Sequence, residues 1–134
     1  MISRRGNLIL ITNYKEKALL KFDGRFDPKF GSGYFSPTLS ADGKKVAYQY
    51  MAGFLENGSG IYEMDMKSKS KKELIGAGYY QPKYSPDGLY LLLGHNNHRT
   101  ENNTWINDIY ILDIQSKELE KIGQGDEYLW INKR

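Results

Sequence analysis

Short apolar stretches, each bounded by glycine, proline, asparagine or aspartate, run along the whole chain. The clearest lie in the last third of the sequence, at residues 79–84, 89–93, 108–114 and 118–122. Each has the length of a β-strand, and no stretch shows the 3.6-residue spacing of an amphipathic helix. The pattern predicts an all-β protein, and in this part of the chain a sheet of four antiparallel strands, which we call A to D.

The same pattern occurs three times along the chain. Glycine triplets of the form Gly-x-Gly begin at Gly31, Gly76 and Gly123, which lie 45 and then 47 residues apart. The sequence Ser-x-Asp-Gly follows the first two triplets, at residues 40–43 and 85–88, and favours a tight turn between strands A and B. A period of this length is typical of a supersecondary unit that buries its apolar face only against its neighbours.

Strands B and C of the third repeat are apolar on both faces, so each sheet should be packed between two others. A repeated four-stranded antiparallel sheet of this kind is a β-propeller blade. We therefore predict a single domain over residues 1–134 with three blades. The second blade is predicted at residues 34–78 and the third at residues 79–125, while the first combines residues 1–33 with residues 126–134.

The repeat also resembles a known family. Residues 82–88, Pro-Lys-Tyr-Ser-Pro-Asp-Gly, followed by residues 109–113, Ile-Tyr-Ile-Leu-Asp, closely resemble the repeat of TolB-type, WD-like propellers. Residues 37–43 and 61–65 match it nearly as well, with Ala41 in place of proline. The resemblance implies the propeller fold for essentially the whole chain. Similar repeats serve periplasmic binding proteins and the gating domains of prolyl-oligopeptidase-like peptidases, so the fold alone does not imply an activity.

The first repeat is predicted to lack its strand A. Residues 3–6 take the place of the Ser-x-Asp-Gly turn, with Arg5 instead of aspartate, and residues 8–12, 19–23 and 25–30 fit strands B, C and D. A matching strand A lies at the other end of the chain, at residues 128–132. The C-terminal strand is therefore expected to complete the first blade, which would remove an exposed sheet edge.

Three blades are fewer than the roughly four to eight that a closed propeller contains. One solution is a dimer that forms a six-bladed ring with C2 symmetry, in which residues 128–132 of each chain pair with residues 8–12 of the other. The other is that the chain is a fragment of a larger propeller. The sequence leaves both open.

A binding site for a protein or peptide is predicted at the end of the blades that carries the D-to-A and B-to-C connections. This end contains two long loops, at residues 51–60 and 94–107, and long loops on a rigid scaffold are the usual location of recognition sites. The aromatic residues predicted there are Tyr34, Phe35, Tyr79, Tyr80, Trp105 and Tyr128. The alternative is that these rings pack between blades, with Trp105 as a hydrophobic lid.

Two further groups of polar and charged residues are more simply explained as solvated surface than as binding sites. His95, His98 and Glu101 would hold zinc or another divalent ion only if one helical turn aligned them, so a solvated polar loop is the favoured reading and no metal or cofactor is expected. The lysine-rich segment at residues 67–72 would suit an acidic partner, but a solvated hairpin is the favoured interpretation.

Composition and motifs favour a non-enzymatic binding module, and a metal-dependent activity in the loop at residues 95–101 is the least favoured alternative. The formal net charge of +3 is too small to indicate a nucleic-acid-binding protein. The sequence contains no cysteine and no apolar run approaching the roughly 18 residues of a membrane span. It also lacks the Gly-x-Ser-x-Gly elbow and the phosphate-binding glycine loop. The compartment is left open: the sequence as written suggests the cytoplasm, and the periplasm if a leader was removed.

Overall fold

Antiparallel β-strands make up the regular structure of the computed structural model, which describes residues 1–12, 15–21, 33–52 and 59–125. The strands are β1 (Ile2–Arg4), β2 (Asn7–Thr12), β3 (Lys15–Leu20), β4 (Gly33–Leu39), β5 (Lys45–Met51), β6 (Gly60–Asp65), β7 (Lys71–Gly76), β8 (Tyr79–Tyr84), β9 (Tyr90–Arg99), β10 (Trp105–Asp113) and β11 (Leu119–Gly125). They form three sheets in the orders β1-β2-β3, β4-β5-β6-β7 and β8-β9-β10-β11. The predicted all-β class and the four-stranded antiparallel blade are thereby confirmed. None of the described residues forms a helix that could cross a membrane.

The turn between strands A and B is built by the serine and aspartate of the repeated motif. Ser85 Oγ donates a hydrogen bond to Asp87 Oδ1 (2.6 Å) and accepts one from the Tyr90 amide (3.0 Å). The Leu89 amide also donates to Asp87 Oδ1, at 3.0 Å. The Ser85 hydroxyl and the Leu89 amide hold the pKa of the Asp87 carboxyl below its usual range. The same bonds recur at residues 40–45, so this motif fixes the A-to-B turn in both complete blades.

The aspartate that ends strand C fixes the next turn. Asp113 Oδ1 accepts hydrogen bonds from the amides of Gln115 and Ser116, both at 3.0 Å, and the Lys117 amide donates to the Asp113 carbonyl at 2.8 Å. Asp65 forms the same bonds one blade earlier. The repeated aspartate therefore caps the connection from strand C to strand D.

The apolar core lies between the sheets rather than within one of them. The core between the second and third blades contains Ala47, Ile61, Leu74, Tyr84, Leu91, Leu93, Leu112 and Ile114. The core between the first and second blades contains Leu8, Leu20, Val46, Tyr48 and Met64. The second sheet is thus covered on both faces, as its apolar strands predict.

The first blade differs from the prediction in two of its strands. Residues 2–4 form β1 in the place of strand A, and Arg5 and Gly6, with φ of 49° and 81°, make the two-residue connection to β2. The prediction of a turn at residues 3–6 with no strand before it was therefore wrong. Strand C is β3, at Lys15–Leu20 instead of residues 19–23, because β2 pairs with Lys15 at Thr12 and with Leu20 at Leu8. The predicted strands at residues 25–30 and 128–132 lie outside the described residues.

Contacts with the second blade explain why β1 forms. Ser3 Oγ donates a hydrogen bond to the Tyr34 carbonyl, and the Tyr34 amide donates to the Gly6 carbonyl at 2.8 Å. Gly33 has a φ of +123°, and a Cβ there would lie 2.5 Å from Gly6 Cα. The last glycine of the first triplet is therefore required by the close approach of two blades.

The third blade carries a longer hairpin than its apolar pattern indicates. The predicted loop at residues 94–107 is mostly strand, because β9 and β10 continue to pair as far as Arg99 and Trp105. A short turn closes the hairpin, with the Thr100 amide donating to the Thr104 carbonyl at 2.8 Å. The predicted strand D at residues 118–122 continues through the third glycine triplet, which pairs with β10 as the end of β11.

Candidate binding site at the loop-rich end of the blades

Four tyrosines lie together at the end of the second blade that carries the D-to-A and B-to-C connections. We call this end of the blades the loop-rich end. Tyr34 lies opposite Tyr50 in the β4–β5 pair, and Tyr48 lies opposite Tyr62 in the β5–β6 pair. Residues that are opposite each other in antiparallel strands point to the same face of the sheet. The four rings and Lys71 line a groove of about 190 Å³, which we call the tyrosine groove.

The rings of the tyrosine groove are packed against one another. The centroids of Tyr34 and Tyr50 are 5.1 Å apart, and Tyr48 stacks on Tyr62 at 6.1 Å. Tyr34 also meets Tyr48 edge to face at 5.5 Å. These separations are typical of favourable aromatic pairs. Tyr48 also belongs to the core between the first and second blades, and the other three rings pack against that core.

The electrostatic character of the groove comes from one amine and from partly buried phenols. Lys71 Nζ lies 5.7 Å from the centre of the Tyr34 ring, within the range of a cation–π contact. Burial raises the pKa of the Tyr48 phenol, whose side chain is almost completely enclosed. Tyr62 donates a hydrogen bond to Glu73 (3.3 Å). Burial and the Glu73 carboxylate both raise the pKa of the Tyr62 phenol. The phenols of Tyr48 and Tyr62 therefore remain neutral at physiological pH, with the Lys71 ammonium near Tyr34 and the Glu73 carboxylate near Tyr62.

The third blade repeats this arrangement with two substitutions, since His95 takes the place of Tyr50 and Leu93 takes the place of Tyr48. Tyr79, His95 and Tyr110 occupy the positions that Tyr34, Tyr50 and Tyr62 occupy in the second blade. His95 stacks on Tyr79 with centroids 4.4 Å apart, and Tyr110 meets both rings edge to face at 5.7 Å. Two consecutive blades thus present an aromatic triad at the same end.

The His95→Phe variant is expected to be more stable than the wild type by about 1 kcal/mol. His95 Nδ1 is buried and has no hydrogen-bond partner among the residues that the structure describes, and a buried polar atom without a partner costs roughly 1–3 kcal/mol. Phenylalanine keeps a ring between Tyr79 and Tyr110 and removes the nitrogen. Urea unfolding followed by circular dichroism measures the difference.

Tyr50→Phe is the control for this prediction, because Tyr50 holds the same place in the second blade and already has interaction partners. We expect no gain in the free energy of unfolding from that change. A His95→Phe protein that is less stable than the wild type would contradict the argument.

The structure separates the aromatic residues that the sequence suggested as one site. Tyr34 and Tyr79 join the two triads, whereas Phe35 and Tyr80 follow them in their strands and point to the opposite face. Tyr80 donates a hydrogen bond to Asn107 at 2.9 Å. Trp105 is 53% exposed beside the turn that closes the long hairpin.

The set of aromatic residues predicted from the sequence also omits most of the rings that line the tyrosine groove. Trp105 is covered by the Arg99 guanidinium at 5.3 Å, and Tyr128 lies outside the described residues. Tyr48, Tyr50 and Tyr62 were not in the predicted set. Their signal in the sequence was the alternation Tyr48-Gln49-Tyr50, which places two rings on one face of a strand.

The weak metal-site candidate is not arranged as its chemistry requires. His95 and His98 lie in β9 and Glu101 lies in the hairpin turn, so no helical turn aligns them. Among the described residues, no three histidine, cysteine, aspartate or glutamate side chains come together to hold a metal ion.

A buried carboxylate that the sequence analysis missed lies between the second and third blades. Glu63 is 3% exposed and accepts a hydrogen bond from the Tyr84 hydroxyl at 2.7 Å. Lys45 Nζ and Lys72 Nζ each lie 3.5 Å from Glu63 Oε1. Burial and the Glu63 carboxylate raise the pKa of the Tyr84 phenol. Lys72, from the predicted lysine-rich segment, is thus held at a cleft of about 420 Å³ at the short-turn end of the blades.

Comparison with known proteins agrees with this architecture. No protein-family model and no curated protein matches the sequence. Among solved structures, TolB from Acinetobacter baumannii is 22% identical with a TM-score of 0.59, over 86% of this chain and 26% of TolB. The β-propeller domain of the trilobed protease from Pyrococcus furiosus is 17% identical with a TM-score of 0.55, over 90% of this chain and 34% of that one.

The acylaminoacyl peptidase of Pyrococcus horikoshii is similar to the same extent. It is 16% identical with a TM-score of 0.60, over 92% of this chain and 21% of the peptidase. The chain therefore spans between a fifth and about a third of the proteins that it resembles. Its fold is that of a TolB-like β-propeller, as the repeat indicated.

Proposed function

We propose that this chain is a non-enzymatic propeller module that binds a protein or peptide segment at the loop-rich end of its blades. The observation that carries the proposal is the tyrosine groove. Tyrosine rings offer a large contact area at a low entropic cost, and they are frequent among the residues that dominate binding energies. A groove of about 190 Å³ accommodates one or two side chains of a ligand rather than a folded surface.

The charge of the groove defines the ligand more closely. Lys71 lies beside Tyr34 at the rim, and an exposed ammonium attracts a carboxylate of the partner. The rings suit an apolar or proline side chain. We therefore propose a segment in which an apolar residue or proline lies next to an acidic residue or a C-terminal carboxylate.

Selection from a library of random short peptides displayed on phage tests this proposal. The enriched peptides, once synthesised, should carry the proposed combination of residues. Lys71→Glu should weaken their binding by at least about tenfold, equivalent to roughly 1.4 kcal/mol, because it replaces attraction by repulsion. Lys71 is exposed, so the variant should fold normally. Isothermal titration calorimetry measures the affinities.

Lys67→Glu is the matched control, since it makes the same charge change in the exposed turn that follows Asp65. Its affinity for the selected peptides should remain near that of the wild type. Failure to enrich any peptide, or an equal loss in both variants, would count against the tyrosine groove as the site.

A second candidate is that the chain forms part of a larger propeller, such as a TolB-like periplasmic component or the gating domain of a prolyl-oligopeptidase-like peptidase. The observation in its favour is that the chain spans only 21–34% of the structures that it resembles. Immunoblotting of the source cells separates the candidates. A band at the 15.4 kDa of this chain would reject the larger protein.

A further inference from the structure

The cleft between the second and third blades has two chemically different walls. It lies at the end of the blades that carries the A-to-B and C-to-D turns, opposite the tyrosine groove, and its volume is about 420 Å³. We call it the lysine cleft. Pockets that bind small molecules usually measure roughly 300–1,000 Å³. The second blade contributes Lys45, Glu63 and Lys72 to one wall, and the third blade contributes the largely apolar side chains of Leu89, Tyr90 and Ile114 to the other.

The two lysines of the cleft are positioned by a buried carboxylate. Glu63 Oε2 accepts the hydrogen bond from the Tyr84 hydroxyl at 2.7 Å, and Glu63 Oε1 lies 3.5 Å from both Lys45 Nζ and Lys72 Nζ. These separations exceed the roughly 2.7–2.9 Å of a strong charge-assisted hydrogen bond. Each ammonium group carries three N–H donors, so both can donate further hydrogen bonds to an anion in the cleft.

The lysine wall carries an excess of positive charge. Two ammonium groups face the single carboxylate of Glu63, and the lysine side chains are 48% and 56% exposed, so a ligand can reach them. Asp113 lines the opposite wall, where its Oδ1 accepts hydrogen bonds from the amides of Gln115 and Ser116. Glu63 and Asp113 would repel a dianion such as phosphate more strongly than a single carboxylate. The balance of charge therefore favours a monoanion.

This group of charged residues is not a feature of the repeat. The strand register places Tyr90, Ile111 and Glu120 of the third blade at the positions of Lys45, Glu63 and Lys72. The third blade thus forms the same sheet with an apolar residue in place of the buried carboxylate. Burial of an ion pair carries a desolvation cost that apolar packing does not. The charges of the second blade therefore indicate a role beyond forming the sheet.

The wall formed by the third blade offers apolar contact. The amides of Leu89, Tyr90 and Ile114 already donate hydrogen bonds, to Asp87, to Ser85 and to the Leu89 carbonyl. The side chain of Leu89 is 57% exposed beside the lysines. Each Å² of apolar surface that a ligand covers there contributes roughly 25 cal/mol. An apolar group is thus the part of a ligand that suits this wall.

We propose that the lysine cleft binds a carboxylate that is joined to a compact apolar group. The carboxylate accepts hydrogen bonds from Lys45 Nζ and Lys72 Nζ, and the apolar group lies against Leu89. Small organic acids and the C-terminal residue of a peptide both have this chemistry. The lysine cleft and the tyrosine groove lie at opposite ends of the blades, so binding at one does not depend on binding at the other.

Titration of the full chain with 3-phenylpropionate, followed by NMR spectra of the backbone amides, tests the proposal. A probe of this size should bind with a dissociation constant on the order of millimolar. The amide signals of Lys72, Leu89 and Tyr90 should shift most. The uncharged 3-phenylpropanamide should bind at least about fivefold more weakly, because it lacks the charge that the half-exposed lysines attract. N-acetylglycyl-phenylalanine presents the same group on a peptide, and the tighter of the two acids identifies the source of the ligand.

Lys72→Gln and Lys45→Gln should each weaken the binding of 3-phenylpropionate about fivefold, because each removes one of the two ammonium groups. Both side chains are about half exposed, so the variants should keep their fold, which far-ultraviolet circular dichroism verifies. Lys67→Gln is the matched control, since it makes the same charge change in an exposed turn outside the cleft. Its affinity should stay near that of the wild type.

Three results would overturn the lysine cleft as a binding site. One is a titration in which the amide signals do not shift to saturation, or shift only around the tyrosine groove. Another is equal affinity for 3-phenylpropionate and its amide. The third is an affinity that Lys72→Gln and Lys45→Gln both leave unchanged. None of them bears on the tyrosine groove as a peptide site, whose test is the loss of affinity in Lys71→Glu.

Discussion

The Leu91→Ala variant is expected to lower the free energy of unfolding by about 3 kcal/mol. Leu91 is 0% exposed and lies in the core between the second and third blades, together with Ala47 and Ile61. Truncation of a buried leucine removes its transfer free energy and leaves a cavity, which together cost roughly 2–5 kcal/mol. The second sheet is fixed by neighbours on both faces, so we expect little collapse around the cavity. Urea unfolding at a fixed protein concentration measures the loss.

Leu89→Ala is the control, because it removes the same atoms from a position two residues away. Leu89 is 57% exposed in the A-to-B turn, and substitutions at such surface positions usually stay within about 0.5 kcal/mol. Equal losses in the two variants would mean that the third blade does not pack on the second in solution. A large difference would show that Leu91 is buried between the blades in solution, as it is in the structure.

The repeated turns were predictable because their interactions are local in sequence. Ser85 and Asp87 satisfy the backbone of their own turn, and Asp113 satisfies the amides that follow it. Such bonds depend on residue type and spacing alone. The positions of strands β8 and β6 followed from these fixed points to within one residue.

The first blade and the long hairpin were harder to predict because backbone pairing decides them. β1 is fixed by contacts with Tyr34, about 30 residues away in sequence. The apolar pattern of β9 ends at Leu93, yet the strand continues to Arg99 because the backbone of β10 remains within pairing distance. Polar side chains do not end a strand whose hydrogen bonds are satisfied.

The aromatic residues that gather at the candidate site could be predicted from the sequence only in part. Tyr34 and Tyr79 could be predicted as members of the candidate site because they follow the glycine triplets in equivalent positions. Their partners Tyr50, Tyr62, His95 and Tyr110 lie on the neighbouring strands B and C. Only the register of the sheet, which the sequence does not state, shows which of these residues share a face. A site made by cross-strand neighbours therefore required the structure.

The Tyr84→Phe variant is expected to lower the free energy of unfolding by about 2 kcal/mol. The Tyr84 hydroxyl donates to Glu63 at 2.7 Å in a buried setting, and a hydrogen bond to a charged group contributes roughly 1.5–3 kcal/mol. Glu63 is 3% exposed, so water does not replace the lost donor. Tyr80→Phe removes a partly buried bond to the neutral Asn107, and we expect it to cost about half as much. Urea unfolding of both variants at neutral pH compares them.

Combining Tyr84→Phe with Glu63→Ile separates the value of this bond from the cost of burying a charge. The third blade holds Ile111 at the position of Glu63, so isoleucine fits the strand. Replacing both partners by apolar groups is often nearly neutral, whereas removing one leaves a buried polar group without its partner. The double variant should therefore recover most of the stability lost in Tyr84→Phe, since Lys45 and Lys72 are about half exposed and can remain hydrated. Additive losses would instead show that the lysines need Glu63 and that its charge itself holds the two blades together.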